Sequence, residues 1–229
     1  MIIAIDGPAG VGKSSAAKAL AQNLNFTYID TGAMYRAVAL TAIEQSLDPQ
    51  NDAAAIAKFA EDLPLRFEDA GKSTFIGERN VSHEIRSPEV SLFASKVAAL
   101  KSVREVLVHK QRQLGRAAEQ ICGGAVLEGR DIQTVVFPRA EVKVFLIASP
   151  ITRAARRQRE WQEEGQKVLL GDAQTQLSER DQRDTERAAA PLQPAEDADL
   201  IATDGLTLEQ VVEKIMELVR AVQKQEHKK

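Results

Sequence analysis

The sequence predicts an α/β fold with a mostly parallel sheet, and three observations predict it. Short apolar segments alternate with longer segments of helical periodicity. Those apolar segments are continuous rather than alternating, the pattern of strands covered on both faces. A glycine-rich turn joins the first strand to the first helix.

Each element follows in order. Ile2–Asp6 is an apolar run stopped by Gly7, Pro8, Ala9 and Gly10, a buried strand followed by a turn. Lys13–Leu24 carries small and apolar residues at helical spacing, and Thr27–Asp30 is a second strand. Residues 32–45 form a helix with Met34, Val38 and Ala42 on one side. Leu47, Asp48 and Pro49 break it, and Asp52 is placed to cap the next helix, which runs to about Glu61. The character changes over residues 63–86. Residues 63–68 alternate, Ser73–Ile76 and residues 80–82 read as short strands, and Gly71 and Gly77 punctuate them. This is a small antiparallel insert bounded by Pro64 and Pro88. Helices over residues 88–99 and 103–120 lead to a third core strand, 124–128, and then to Gly129, Arg130 and Asp131. The fourth strand is 142–148. A basic helix spans 151–164 and stops near Gly165, and another covers 173–189, ahead of Pro191. The fifth strand is 200–203 and the last helix 206–223, with a polar tail beyond.

Composition narrows the function classes. The chain has 229 residues, enough for one large domain or a core with an insert. Its net charge of −3 argues against a general nucleic-acid binder. No apolar stretch reaches membrane-spanning length, and the opening residues carry Asp6 and no basic region, so they read as a strand rather than a signal peptide. Cys122 is the only cysteine, which excludes an internal disulfide, fits a reducing cytoplasm, and reads as a small buried hydrophobe. Arginines nonetheless crowd into 153–159 and 180–187, as for an anionic ligand held in a cleft.

The chemistry centres on Gly7, Pro8, Ala9, Gly10, Val11, Gly12, Lys13 and Ser14, a G-x-x-x-x-G-K-[ST] loop that follows a strand and opens a helix. Glycines let backbone approach phosphate oxygens without a Cβ in the way. Exposed N–H groups and the helix N-terminus supply positive potential. Lys13 reaches the β- and γ-phosphates, the Ser14 hydroxyl can ligate Mg²⁺, and Ser15 follows at the helix start. The guanine-reading Asn-Lys-x-Asp of a GTPase is absent, as is Asp-x-x-Gly after a strand. A small-molecule kinase remains.

Such a kinase needs mobile guanidiniums. Arg153, Arg156 and Arg157 recur at i, i+3, i+4, placed to form a flap over ATP phosphates, with Arg159 adding to the run. Arg180, Arg183, Asp184 and Arg187 share one helical face. Arg36 and Arg130 lie at carboxyl ends of strands, where ligands bind open α/β sheets.

Four segments together resemble the bacterial cytidylate kinases. They are the loop with its two serines, Asp-Thr-Gly-Ala-Met-Tyr-Arg at 30–36, Glu-Gly-Arg-Asp-Ile-Gln-Thr-Val-Val-Phe-Pro at 128–138, and Glu-Arg-Asp-Gln-Arg-Asp-Thr-Glu-Arg-Ala-Ala-Ala-Pro-Leu at 179–192. The likeness runs from residue 1 to about 220. It implies a nucleoside-monophosphate kinase fold with a five-stranded parallel sheet of order 2-3-1-4-5. It further implies a core of 1–31, 100–150 and 168–222, an acceptor-binding region with the insert at 32–99, and a lid at 151–167. The implied reaction takes ATP, with Mg²⁺, and CMP or dCMP to ADP and CDP or dCDP, in a cytoplasmic monomer without nucleic-acid or membrane partners. By the resemblance, Ser95, Arg104 and Asp131 match positions that read cytosine, and Arg180 and Asp184 positions near the sugar. Tyr35, Arg36, Arg130 and Arg187 match positions around the acceptor phosphate and its cleft, Thr31 is expected on the same substrate side, and Arg153 and Arg157 match the lid arginines. Catalysis by implication rests on Lys13, Arg130, Arg153, Arg157 and Arg187. Trp161 is placed to stack on adenine or to pack the lid helix, and packing is the expectation. Kinases of UMP, shikimate or a sugar acid, and a non-catalytic nucleotide-binding regulator, stay open as alternatives.

Overall fold

A computed structural model describes residues 1–68, 71, 73–163, 165 and 168–226. β1 (Ile2–Asp6) is buried along its whole length, and α1 (Lys13–Leu24) follows the glycine loop. β2 (Thr27–Asp30) passes directly into α2 (Thr31–Glu44), because the Asp30 carboxylate accepts from the Ala33 N–H at 2.8 Å and caps the helix. α3 (Ala53–Asp62) begins after Asp52, whose side chain does not cap it. Asp52 instead accepts from the Asp48 N–H at 2.9 Å and closes the preceding turn.

The insert is a three-stranded antiparallel sheet of β3 (Leu65–Glu68), β4 (Ser73–Ile76) and β5 (Arg79–Asn80). Its last strand is shorter and earlier than residues 80–82. Only the Val81 N–H continues the pairing, to Thr74 O at 2.9 Å, while the Thr74 N–H donates to the Ser82 hydroxyl. A 3₁₀ turn at Glu84–Arg86 leads to α4 (Pro88–Val97), capped by Ser87, and then to the long α5 (Lys101–Cys122). Gly115 sits inside α5, where a Cβ would lie 2.5 Å from the Phe137 ring; the glycine lets that ring pack onto the helix. Cys122 is half-buried and near Thr27, not sealed in the core as its sequence context suggested.

β6 (Ala125–Glu128), a π-helical turn at Ile132–Val136 and β7 (Val142–Ile147) come next. α6 (Pro150–Glu163) packs against α7 (Leu170–Glu186). α7 starts three residues ahead of the expected 173 and stops before Arg187, which is extended at φ −61° and ψ 134°. β8 (Asp199–Ala202) and α8 (Leu208–Glu226) complete the chain. Residues 164, 166 and 167 of the expected lid, and 227–229 of the tail, lie outside the described residues.

The main sheet runs β2-β6-β1-β7-β8, all parallel. Counting only its five members, this is the expected order 2-3-1-4-5. Ile3 pairs with Val126 on one side and Val142 on the other, which centres β1 in the core. One apolar cluster packs α1 and α8 on one face of the sheet, and a second packs α5 on the other. A third, around Met34, Ile56, Ile85 and Leu107, gathers α2, α3, the 3₁₀ turn and α5. A small fourth cluster seats Trp161 among Ala154, Ala173 and Leu177. No described helix is long and apolar enough to cross a membrane.

Candidate active site

The loop after β1 is shaped by glycines at positive φ. At Gly7, φ is +147° and a Cβ would come within 2.3 Å of the Leu146 carbonyl, so only glycine lets the loop turn against the end of β7. Gly12, at φ 94°, precedes α1 without a side-chain cap, leaving the first-turn amides to a ligand. Lys13 folds back over the loop and donates to Pro8 O at 2.6 Å. It is buried, and burial together with Arg130 pushes its ammonium down to about 7, although Glu128 supports the charge.

A cleft of about 510 Å³ opens at the carboxyl ends of β1, β2 and β6. From the loop, Ala9, Gly10, Gly12, Lys13, Ser14 and Ser15 line it. Gly7, Pro8 and Val11 form the turn behind it. Thr31, Tyr35 and Arg36 line it from α2, and Ser95 from α4. Arg130 and Asp131 enter after β6, Arg157 from α6, and Arg180, Asp184 and Arg187 from α7 and its end. The guanidinium side therefore faces the same space as Lys13.

These arginines are preset by carboxylates. Arg36 pairs with Asp30 at 3.0 Å, and Arg130 Nε donates to Asp184 at 2.8 Å. Arg104, buried just behind the wall, pairs with Asp131, whose other oxygen lies 3.8 Å from Arg187. Burial alone would raise the Asp30 carboxyl, but Arg36 and the Ala33 amide outweigh it and hold it low. Burial would also raise Asp184; Arg130 and Arg180 hold it below the usual range. Arg180 has neighbours of its own sign, and burial, then Arg130, pushes it down to about 9. Four lining residues keep buried polar atoms without a hydrogen-bond partner among the described residues: Tyr35 Oη, Arg36 Nε, Arg180 Nε and Arg187 Nη2. Buried donors left unpaired are costly, and anionic ligands would satisfy them.

The basic stretch in α6 divides in a way its spacing does not show. Arg153 pairs with Asp181 and donates to Ala9 O at 3.3 Å, away from the cleft. Arg156 donates to Val11 O, Thr203 Oγ1 and Thr203 O, and so braces the loop from behind. Arg159 is exposed. Only Arg157 faces the cleft, with its guanidinium 4.5 Å over the Trp161 ring and paired to Glu160 at 2.9 Å. Trp161 itself is buried, so it packs α6 against α7 rather than offering a face to a base. Arg183 likewise leaves the shared face: it is exposed and bonds Glu179 O within its own helix. Lys18, Arg86, Glu128, Glu160 and Glu163 line the cleft without having been singled out from sequence. Glu128 alone carried a signal, as the last residue of a strand immediately before Gly129 and Arg130.

The donor set fits a nucleoside triphosphate: free first-turn amides, a cradle closed to any Cβ at Gly7, and a lysine aligned along the loop. It also fits a divalent ion held mainly by phosphate oxygens. Among the described residues no cluster of three or more His, Cys, Asp or Glu forms a metal site, and Ser14 presents a hydroxyl at the cleft.

A glycine cradle and a guanidinium-lined hollow opening into one cleft of a 2-3-1-4-5 parallel sheet define a P-loop α/β protein of the small-kinase type. The sequence model of the family described as cytidylate kinase matches residues 3–221. A cytidylate kinase from Exiguobacterium sibiricum is 47% identical over 224 residues, covering 97% of this chain and 98% of that protein. A bifunctional pantoate ligase/cytidylate kinase from a Synechococcus strain is 47% identical over 224 residues, covering 96% of this chain; the chain spans 40% of that longer relative. Among solved structures, a protein from Eubacterium ventriosum described as uncharacterized superposes with a TM-score of 0.51 at 14% identity, over 96% of this chain and 98% of that one, a likeness of fold. The chain belongs to the cytidylate kinase family.

Proposed function

We propose that this chain transfers the γ-phosphoryl group of ATP to CMP or dCMP, giving ADP and CDP or dCDP. The observation that carries the proposal is that Lys13 lines the same cleft as Arg36, Arg130, Arg180 and Arg187. Transfer between two phosphates needs both anions gripped, aligned and shielded from water, and little covalent chemistry beyond that.

In this reading the loop residues Gly7–Ser15 hold the triphosphate, and Lys13 and Arg157 follow the charge on the migrating group. Arg130 and Arg187 complete that field between donor and acceptor. Arg153 acts indirectly: its pair with Asp181, and Asp181's contact with the Ala9 N–H at 3.2 Å, brace the loop against α7. Mg²⁺, when bound through Ser14 and phosphate oxygens, would neutralise charge on the transferring group. Thr31, Tyr35 and Arg36 line the acceptor-phosphate end, and Arg180 with Asp184 the sugar. Ser95 and Asp131 line the cleft where the base would sit, and Arg104, expected to read it directly, instead acts from behind. Arg104 fixes the Asp131 carboxylate, which suits the exocyclic amine of cytosine. Uracil would set a carbonyl against it, acceptor to acceptor. The acceptor is already a phosphate dianion, so transfer is direct and in line, without a strong base or a covalent enzyme intermediate. A cytoplasmic monomer is the working form we infer, in keeping with an acidic chain and a single thiol.

The test is ADP release by the purified chain with ATP–Mg²⁺ and each common nucleoside monophosphate, plus shikimate and gluconate. CMP and dCMP should turn over about a hundredfold or more faster than UMP. Preference for another acceptor, or ADP release that no acceptor stimulates, overturns the proposal.

A further inference from the structure

We propose that Tyr28 is a positioning residue for this transfer: it holds the Glu128 carboxylate toward the lysine side of the cleft and ties that carboxylate to the antiparallel insert. The inference rests on the kinase reading above and adds to it a link between two parts of the fold.

Three observations meet at Tyr28. Its hydroxyl, from β2, donates to Glu128 Oε1 at the end of β6, and both residues are buried. Among the described residues the Glu128 side chain has no other hydrogen-bond partner, so one phenol sets its direction. The ring of the tyrosine is also fixed at its edge. Gly71, from the insert, sits so close that a Cβ would lie 2.2 Å from Tyr28 Cδ1 and 2.5 Å from Cε1, and Lys18 Nζ lies 5.4 Å from the ring centroid. The insert thus meets the ring at its edge, Lys18 of α1 lies over its face, and the hydroxyl reaches a carboxylate that lines the cleft.

Glu128 matters there because of what surrounds Lys13. Arg130 and Arg180 repel its ammonium, whereas Glu128 and Asp6 attract it. Glu128, Lys13, Arg130 and Arg180 line one cleft, so Glu128 is a counter-charge to the lysine beside two guanidiniums. Asp30 and Arg36 also lie within electrostatic reach of Tyr28. A carboxylate free to rotate would leave the lysine less well placed when charge builds on the migrating group. Binding of ground-state ATP, which rests mainly on loop amides, would change less.

Tyr28→Phe keeps the ring and removes the hydroxyl. It should lower kcat by about tenfold to a hundredfold, the effect of losing one hydrogen bond to a charged group. KM for both substrates, and the Kd of a non-hydrolysable ATP analogue, should stay within about threefold. In a Glu128→Gln background the same change should have little further effect, because the tyrosine acts through that carboxylate. Gly71→Ala should lower kcat in the same direction, while Gly77→Ala, at the other insert turn where nothing lies within 4 Å, should not. Wild-type kcat in Tyr28→Phe refutes the proposal. So do equal, additive losses in the Glu128→Gln background, or a loss confined to KM. If the wild-type chain transfers no phosphate, the kinase reading fails first, and that result is separate from the cycle.

Discussion

Replacing Lys13 by Met should make the protein more stable while abolishing its chemistry. Lys13 is almost fully buried, it donates to Pro8 O, and its ammonium is pushed from the ordinary 10.5 to about 7. The unfolded chain therefore holds a proton on this side chain more tightly than the folded one. The penalty is fully present below pH 7 and fades as pH rises toward 10.5, so this group makes stability climb across that window. At pH 7 the gap between the two values corresponds to about 4 kcal/mol. Methionine removes the charge at similar length but forfeits the Pro8 hydrogen bond, worth about 1 kcal/mol. A net gain on the order of 2–3 kcal/mol at pH 7 is expected, shrinking toward zero near pH 10. Urea denaturation followed by circular dichroism at pH 6.5, 8 and 9.5, with the wild type beside the variant, measures it. Phosphoryl transfer in the variant should fall by about a thousandfold. A variant no more stable than wild type at pH 7, or one keeping the wild-type climb in stability, refutes the reasoning about a strained lysine. A variant that kept turnover would remove Lys13 from the chemistry.

Asp131→Asn should cost CMP turnover about a hundredfold and narrow the CMP-to-UMP ratio in a substrate panel, since the amide no longer selects the amine. It should also destabilise the fold by about 3 kcal/mol in a thermal melt, because Arg104 stays buried without its carboxylate. Asp6 is raised by burial to about 6 even though the Ile132 and Gln133 amides donate to it, so its contribution to stability is full below pH 4 and is lost as pH rises through 6. Asp6→Asn should flatten that part of the stability-versus-pH curve; an unchanged slope contradicts it. Trp161 is the single tryptophan, and Arg157 lies over its ring. ATP that draws Arg157 to phosphate should change tryptophan fluorescence, and Arg157→Ala should remove most of that change; an equal change in the variant counts against Arg157 as the moving group.

The strands and the loop were legible because their signals are local. An apolar run such as Ile2–Asp6, stopped by glycine and followed by Gly-Lys-Ser, has one sensible reading. Arginines were not legible one by one. Arg153, Arg156 and Arg157 share a spacing, yet the first answers Asp181 and the second the carbonyls of Val11 and Thr203, partners 28 to 145 residues away in sequence. Arg183 fails for a related reason: it lies at the margin of the arc shared by Arg180 and Asp184, and a small rotation puts it in solvent. The Asp52 cap was plausible locally but lost to the turn at Asp48, which claims the same carboxylate. Tyr28 and Glu128 meet only because β2 and β6 are neighbours in the sheet, a fact of topology that no window along the chain displays.

The junction at Asp30 has a bearing on how the insert and α4 could move relative to the sheet. No residue separates β2 from α2, and the capping carboxylate also grips Arg36. Tyr35 and Arg36 are thus welded to the sheet, and any swing of the insert and α4 must pivot farther along the chain. Ser95 would travel with the swing while Arg36 stands still. An acceptor phosphate docked on Arg36 would keep its coordinates throughout, and closure would tighten only around the base. Spin labels on α2 and α1 should accordingly report a fixed separation with and without nucleotides, and labels on α4 and α1 a changing one.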